Sequence, residues 1–200
     1  MTLLQQTKNQ EPIAFGGFSE LYLINDKAVK VMEDTCYTDV LEETYRQRIA
    51  ADAGLAPQVY TVDRKEDTVA VEMDMIDNTR WFHPDANDEV APTLLGELPV
   101  QQMLIGLQLY MDMLNAGIVH ADFHSGNWFI DEDGNALAID FGIASELATC
   151  SLKHAKRAIQ FLVPALQQTG WETEAIELAD VFDGEVEEIR AALAEVASYF

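Results

Sequence analysis

Three shortages in this sequence each exclude a class of function. Cysteine is scarce: Cys36 and Cys150 are the only two and lie far apart. That rules out a disulfide framework and any cysteine-type metal spacing, and two buried, reduced thiols are expected instead. Basic residues are outnumbered, 12 Lys and Arg against 35 Asp and Glu, for a net charge of −23. Such a surface repels a phosphate backbone, so nucleic acid is excluded as a partner and an anionic membrane is disfavoured. A basic partner would be attracted, although solubility alone accounts for the charge. Finally, no apolar run approaches membrane-spanning length, and the N-terminus MTLLQQTKNQEP lacks a signal peptide's basic start and apolar stretch. A cytoplasmic protein is the expectation. No internal repeat or low-complexity tract interrupts the chain.

What remains is 48% hydrophobic, ample for a packed core. Residues 1–10 read as loosely ordered. Ile13–Ile24 reads as a strand pair turning at Gly16–Gly17, and Asn25–Lys27 leads into a third strand, Ala28–Met32. A helix fits Thr38–Ala53, capped by Thr38 or Asp39 and ended by Gly54 and Pro57, with Leu41, Tyr45 and Ile49 as its core-facing stripe. Strands Gln58–Asp63 and Thr68–Ile76 follow. Residues 78–97 read as irregular. Val100–Ala116 is a clear helix: Met103, Leu107, Tyr110, Met111 and Leu114 share a face and Gly117 ends it. Further helical patterns cover Leu152–Gln168, where Pro164 should kink or split the helix, Glu172–Phe182 and Glu185–Tyr199. The sheet-rich first part and the helical second part divide just after Ile76, and a ligand cleft between two lobes is a common arrangement.

The chemistry concentrates in Ile118–Ser145, IVHADFHSGNWFIDEDGNALAIDFGIAS. Two short apolar strands flank the turn Asp131–Asn135. They bring Asp122 and Asn127 to one end of a hairpin, from which Asp140 also leaves. Three oxygen-bearing side chains gathered in this way suit a hard cation such as Mg²⁺.

Asp122, Asn127 five residues on, and the intact Asp140–Phe141–Gly142 resemble the catalytic and metal loops of the protein-kinase-like superfamily. The resemblance spans about residues 13–145. It implies an α+β, two-lobed protein-kinase-like fold over residues 1–200: a small antiparallel-sheet lobe with one helix (about 11–76) and a reduced, mainly helical lobe (about 77–200). It implies ATP and Mg²⁺ as cofactors. Asp122 would take the acceptor hydroxyl's proton, and Asn127 and Asp140 would hold the metal. Ile13–Leu21 resembles the glycine-rich phosphate loop, with Gly16, Gly17 and Ser19 as its contacts, although Ala14 and Ser19 replace the outer glycines. Lys30, a charge within an apolar strand, matches the phosphate-binding lysine, with Glu43 as its helix partner and Glu42 as the runner-up. Val71–Met75 resembles the segment that links the kinase lobes; backbone groups of about Asp74, Met75 and Ile76 would bond the adenine edge, and Met73 would line the back of the pocket.

The departures give direction. Ala121 replaces the arginine of many protein kinases, His124 stands where a typical serine/threonine kinase has lysine, and no A-P-E follows. H-x-D-x-H-x-x-N looks more like the atypical and small-molecule kinases: the aminoglycoside and choline kinases, the RIO group and the ubiquinone-associated family. Only 58 residues follow Gly142, too few for the extra helices that usually wall in a small acceptor. The length is similar to that of minimal phage and bacterial-effector kinases. The expectation is therefore a minimal atypical serine/threonine protein kinase with a protein substrate. A small-molecule kinase with a small hydroxyl substrate is the alternative, and a pseudokinase binding module the further one. A zinc hydrolase built on His120, Asp122, His124 and His83 is a rival of another class. The basic cluster Lys153, Lys156 and Arg157, with His154, would neutralise a phosphate or an acidic face, or simply be a solvated helix face.

Overall fold

The structure, a computed structural model of the chain, describes residues 1–16, 19–84 and 92–200. The fold is α+β and protein-kinase-like, and the chain forms two compact units, Met1–Asp77 and Asn78–Phe200.

The first unit begins with α1 (Leu3–Thr7), β1 (Ala14–Phe15), β2 (Ser19–Ile24) and β3 (Lys27–Met32). It continues through α2 (Tyr37–Asp52), β4 (Val59–Lys65) and β5 (Thr68–Asp74). The strands form one antiparallel sheet in the order β1-β2-β3-β5-β4. Asn25 and Asp26 both take positive φ between Ile24 and Lys27, the backbone a two-residue hairpin turn requires.

Residues 1–10 are not loose, and the sheet unit carries two helices rather than one. Thr2 caps α1 by accepting the Gln5 amide, and the Gln5 side chain accepts the Thr2 amide in return. Leu3 is buried with Tyr22, Ile24, Val29, Val31 and Ala70. That sheet face is apolar and needs a cover, whereas a five-residue helix is too short to show a period in the sequence.

The other face packs on α2 through Met32, Val40, Val59, Val69 and Val71. Here the expected stripe is on the wrong side. Leu41 and Tyr45 are exposed and Ile49 half-buried, whereas Val40, Thr44, Gln47, Ala50 and Ala51 are buried. At about 100° per residue the two groups occupy nearly opposite sides of the helix. Small and polar residues let α2 approach the sheet and turn Glu43 inward, and Gln47 satisfies itself on the Pro57 carbonyl. Cys36, not Thr38 or Asp39, precedes the first turn and is exposed; Cys150 is buried, and both are free thiols.

The second unit holds β6 (Trp81–Phe82), α3 (Val100–Asn115), β7 (Ile118–Val119), β8 (Trp128–Asp131), β9 (Ala136–Ala138) and β10 (Ser145–Glu146). It ends with α4 (Leu152–Thr169), α5 (Glu172–Asp180) and α6 (Val186–Ala197). The five expected core residues of α3 are all buried, and Gly117, φ +83°, lies just beyond its end. Of the stretch 78–97, residues 85–91 lie outside the described residues, and the rest is less irregular than its composition suggests. β6 adds a third strand to the β8–β9 hairpin, and Leu95–Glu97 form a 3-10 turn. Two residues of strand are below what alternation can reveal.

Pro164 does not split α4, which runs unbroken past it. A proline inside a helix costs about 3 kcal/mol. The buried Phe161, Leu162, Ala165 and Leu166 on either side offset that cost. Among the described residues, no helix is long and apolar enough to cross a membrane.

Candidate functional site

In the first unit, Lys30 sits mid-strand in β3, between Leu21 of β2 and Val71 of β5. Its ammonium lies 2.8 Å from the Glu43 carboxylate, and both side chains are largely buried. A cation in an apolar strand needs such a partner. Glu42 turns the other way and pairs with Arg46 at 2.7 Å. At the β1–β2 tip the Gly16 amide donates to the Ser19 carbonyl at 2.8 Å, closing the turn. A Cβ on Gly16 would stand 2.8 Å from the Ser19 hydroxyl. Gly17, named with them as a phosphate contact, lies outside the described residues.

The segment expected to meet adenine divides. Met73 is half-buried, with the Gln47 amide 3.8 Å from its sulfur. Asp74 is committed to the sheet. Its amide donates to the Gln58 carbonyl, and its carboxylate takes Lys27 at 2.8 Å and the Tyr60 hydroxyl at 2.7 Å. Burial pushes that carboxyl up, but the hydrogen bonds from Lys27, Tyr60 and the Gln58 amide outweigh it, and its pKa is lowered overall. Met75 and Ile76 lie beyond the end of β5 and are half-buried.

In the second unit, β7 delivers His120, and the loop after it ends in the 3-10 turn Ser125–Asn127, directly before β8. The Asn127 side-chain amide donates to the Asp122 carbonyl at 2.9 Å and to its carboxylate at 3.3 Å. With its nitrogen so used, Asn127 has its amide oxygen left for a cation. The Asn127 carbonyl accepts the Ile139 amide at 2.9 Å, and the Ile139 carbonyl faces His120 Nε2 at 2.9 Å. The residue before Asp140 is thus tied to both ends of the His120–Asn127 loop. Asp140 itself is exposed, with φ +59°, and Phe141 after it is fully buried. Asn127 and Asp140 therefore offer oxygen donors, a donor type that fits Mg²⁺.

His120 is fully buried, and that burial lowers its pKa. Nε2 donates to the Ile139 carbonyl. It packs edge-on against Phe123 and Phe141, and the Tyr110 hydroxyl donates to its backbone carbonyl. This is a brace, not a ligand. His124 Nδ1 accepts the Gly126 amide at 3.1 Å, and His83 Nδ1 lies 3.0 Å from the Trp128 carbonyl. The three histidines thus serve three different backbone partners. No group of three or more His, Cys, Asp or Glu that could hold a metal is found among the described residues, so the zinc reading falls.

Packing beneath the loop is tight. Trp128 and Phe123 are both fully buried and stack with ring centroids 5.5 Å apart. A Cβ on Gly106 of α3 would come within 2.8 Å of the Trp128 ring. Only glycine lets α3 come this close.

One side chain at the site was read from sequence as part of a basic cluster and not as a site residue. Arg157 of α4 donates to the Asp122 carboxylate at 3.3 Å. Lys156 in the same cluster pairs instead with Asp183 at 3.4 Å, and Lys153 is exposed. The available signal was a basic cluster in an acidic chain; which of its members turns inward depends on how α4 packs.

Residues 98–168 match the family model of the ABC1 atypical kinase-like domain. The match covers just over a third of the chain and takes in α3, Asp122, Asn127, Asp140 and nearly all of α4, with Arg157. No curated protein matches the chain.

Proposed function

We propose, on the premise that this is a kinase-like chain of the atypical kind, that it moves the γ-phosphate of ATP to a protein hydroxyl. In the first unit Lys30, held by Glu43, is the phosphate-binding cation, with Gly16 and Ser19 at the turn expected to cover the phosphates. In the second unit Asp122 accepts the proton of the acceptor hydroxyl. That oxygen bonds to the γ-phosphorus, the β–γ bridging bond breaks, and its electron pair leaves with ADP. Asn127 and Asp140 would hold Mg²⁺, which supplies charge neutralisation on the phosphates when bound. The protein's own contribution is orientation and fixed charge.

The observation that carries the reading is the 2.8 Å Lys30–Glu43 pair. A largely buried ion pair is a weak source of stability. Its place in an apolar strand fits a cation kept ready for phosphate. A small hydroxyl compound is the alternative acceptor, and nucleotide binding without transfer is the further alternative.

The test is incubation with γ-labelled ATP and Mg²⁺, beside a lysate and a panel of small hydroxyl acceptors. Label in protein bands supports the protein-kinase reading, and label in soluble product the alternative. Asp122→Ala is expected to lower turnover by on the order of 10²-fold or more while ATP still binds, and Lys30→Ala to weaken ATP binding as well. Wild-type turnover undiminished in Asp122→Ala would refute the assignment.

A further inference from the structure

The carboxylate of Asp122 is held from both sides. One oxygen faces the Arg157 guanidinium at 3.3 Å; the other faces the Asn127 amide at 3.3 Å. His124 is the other neighbour, with Nε2 at 3.6 Å, beyond hydrogen-bond range. His124 Nδ1 accepts the Gly126 amide, so the ring proton sits on Nε2 and no full positive charge comes from the loop while that bond stands. The permanent cation at this carboxylate comes from α4, 35 residues further along the chain.

We infer that Arg157 is a positioning residue for Asp122: it fixes the plane of the carboxylate and keeps its charge balanced while the acceptor hydroxyl approaches. This deepens the phosphotransfer reading and rests on it. The pair is poorly suited to a purely structural role. The side chains are 40% and 35% exposed, and ion pairs so open to water add little to stability. The same openness leaves Asp122 reachable by an acceptor. Among the described residues Arg157 spends one of its five N–H donors, on Asp122, so its fork has donors to spare for a passing phosphoryl oxygen. The step stays balanced: the hydroxyl proton goes to Asp122, the new O–P bond replaces the β–γ bridging bond, and Arg157 neither gains nor loses a proton.

The experiment is steady-state phosphate transfer by the full chain. Wild type is compared with Arg157→Ala, Arg157→Gln, Arg157→Lys, Asp122→Asn and the double variant Asp122→Asn/Arg157→Ala, with urea midpoints measured alongside. Arg157→Ala and Arg157→Gln are expected to lose roughly 10- to 100-fold in kcat, with the KM for ATP within about 3-fold of wild type and the urea midpoint unmoved. Arg157→Lys should recover part of the loss. In the Asp122→Asn background, removing Arg157 should cost nothing further, because the group it positions is already gone. Wild-type kcat in both Arg157→Ala and Arg157→Gln would overturn the inference. So would a loss of the same size with and without the Asp122 carboxylate, or a loss that merely follows a fall in the urea midpoint. An inactive wild type would remove the phosphotransfer reading itself, and this inference with it.

Discussion

Replacing Asp140 by glycine and by alanine should reverse the usual order of stability. Asp140 holds φ at +59°, fixed on one side by Ile139, whose amide and carbonyl are both engaged, and on the other by the buried Phe141. A left-handed backbone costs an L residue about 1–2 kcal/mol and glycine nothing. Against that, glycine loses about 0.5–1 kcal/mol more than alanine in backbone freedom on folding. The balance predicts that Asp140→Gly is the more stable variant by up to about 1.5 kcal/mol. Alanine is the more stable of the two at ordinary positions. The assay is urea unfolding of both proteins, followed by tryptophan fluorescence. The same preparations should both fail in phosphate transfer, since both lack the carboxylate. A more stable glycine variant that is nonetheless inactive would separate strain from chemistry at one position. An alanine variant as stable as the glycine one, or more so, would show that residue 140 is not held in the left-handed region, and the strain argument would fail.

Two further outcomes can be checked. Gly106→Ala drives a methyl into the Trp128 ring and the Leu95 side chain, both under 2.9 Å from the new carbon. It should destabilise by about 1–3 kcal/mol, read as a lower urea midpoint. Asp131 gives a pH test. Its carboxyl is held down at about 2, first by the Asn135 side-chain amide and then by Arg80 and the Asn135 backbone amide, against burial that pushes it up. Its folded value lies below the unfolded value of about 3.9. Its stabilisation is therefore complete above that range and is lost as pH falls through about 2. Asp131→Asn should flatten the acid-unfolding profile between those values, and an unchanged profile would contradict the assignment.

How much could be read from the sequence depended on how local each feature is. Asp122, Asn127 and the D-F-G are joined by a tight hairpin, so their spacing alone brings them together. The α3 stripe was equally plain, because that helix buries one continuous face. The Lys30–Glu43 pair was accessible through a motif; periodicity pointed elsewhere. On α2 the apolar stripe of Leu41, Tyr45 and Ile49 faces largely outward, since sheet packing and the pull of Lys30 on Glu43 set the helix rotation. α1 and β6 are too short to carry a pattern, yet one covers a sheet face and the other widens the central hairpin. Arg157 could not be singled out, because its contact with Asp122 depends on the packing of a helix that starts well after the motif ends.

The latch at Ile139 also determines where this chain can tolerate growth. Glu132, Asp133 and Gly134 at the hairpin tip are exposed, so residues spliced in there would disturb the Asp131–Asn135 turn but leave the register of the two strands in place. One residue inserted between Ala138 and Ile139 would be another matter. It would set a different amide opposite Asn127 and swing the following carboxylate to the reverse side of the strand. Variation in length is therefore expected at the tip and forbidden at the base.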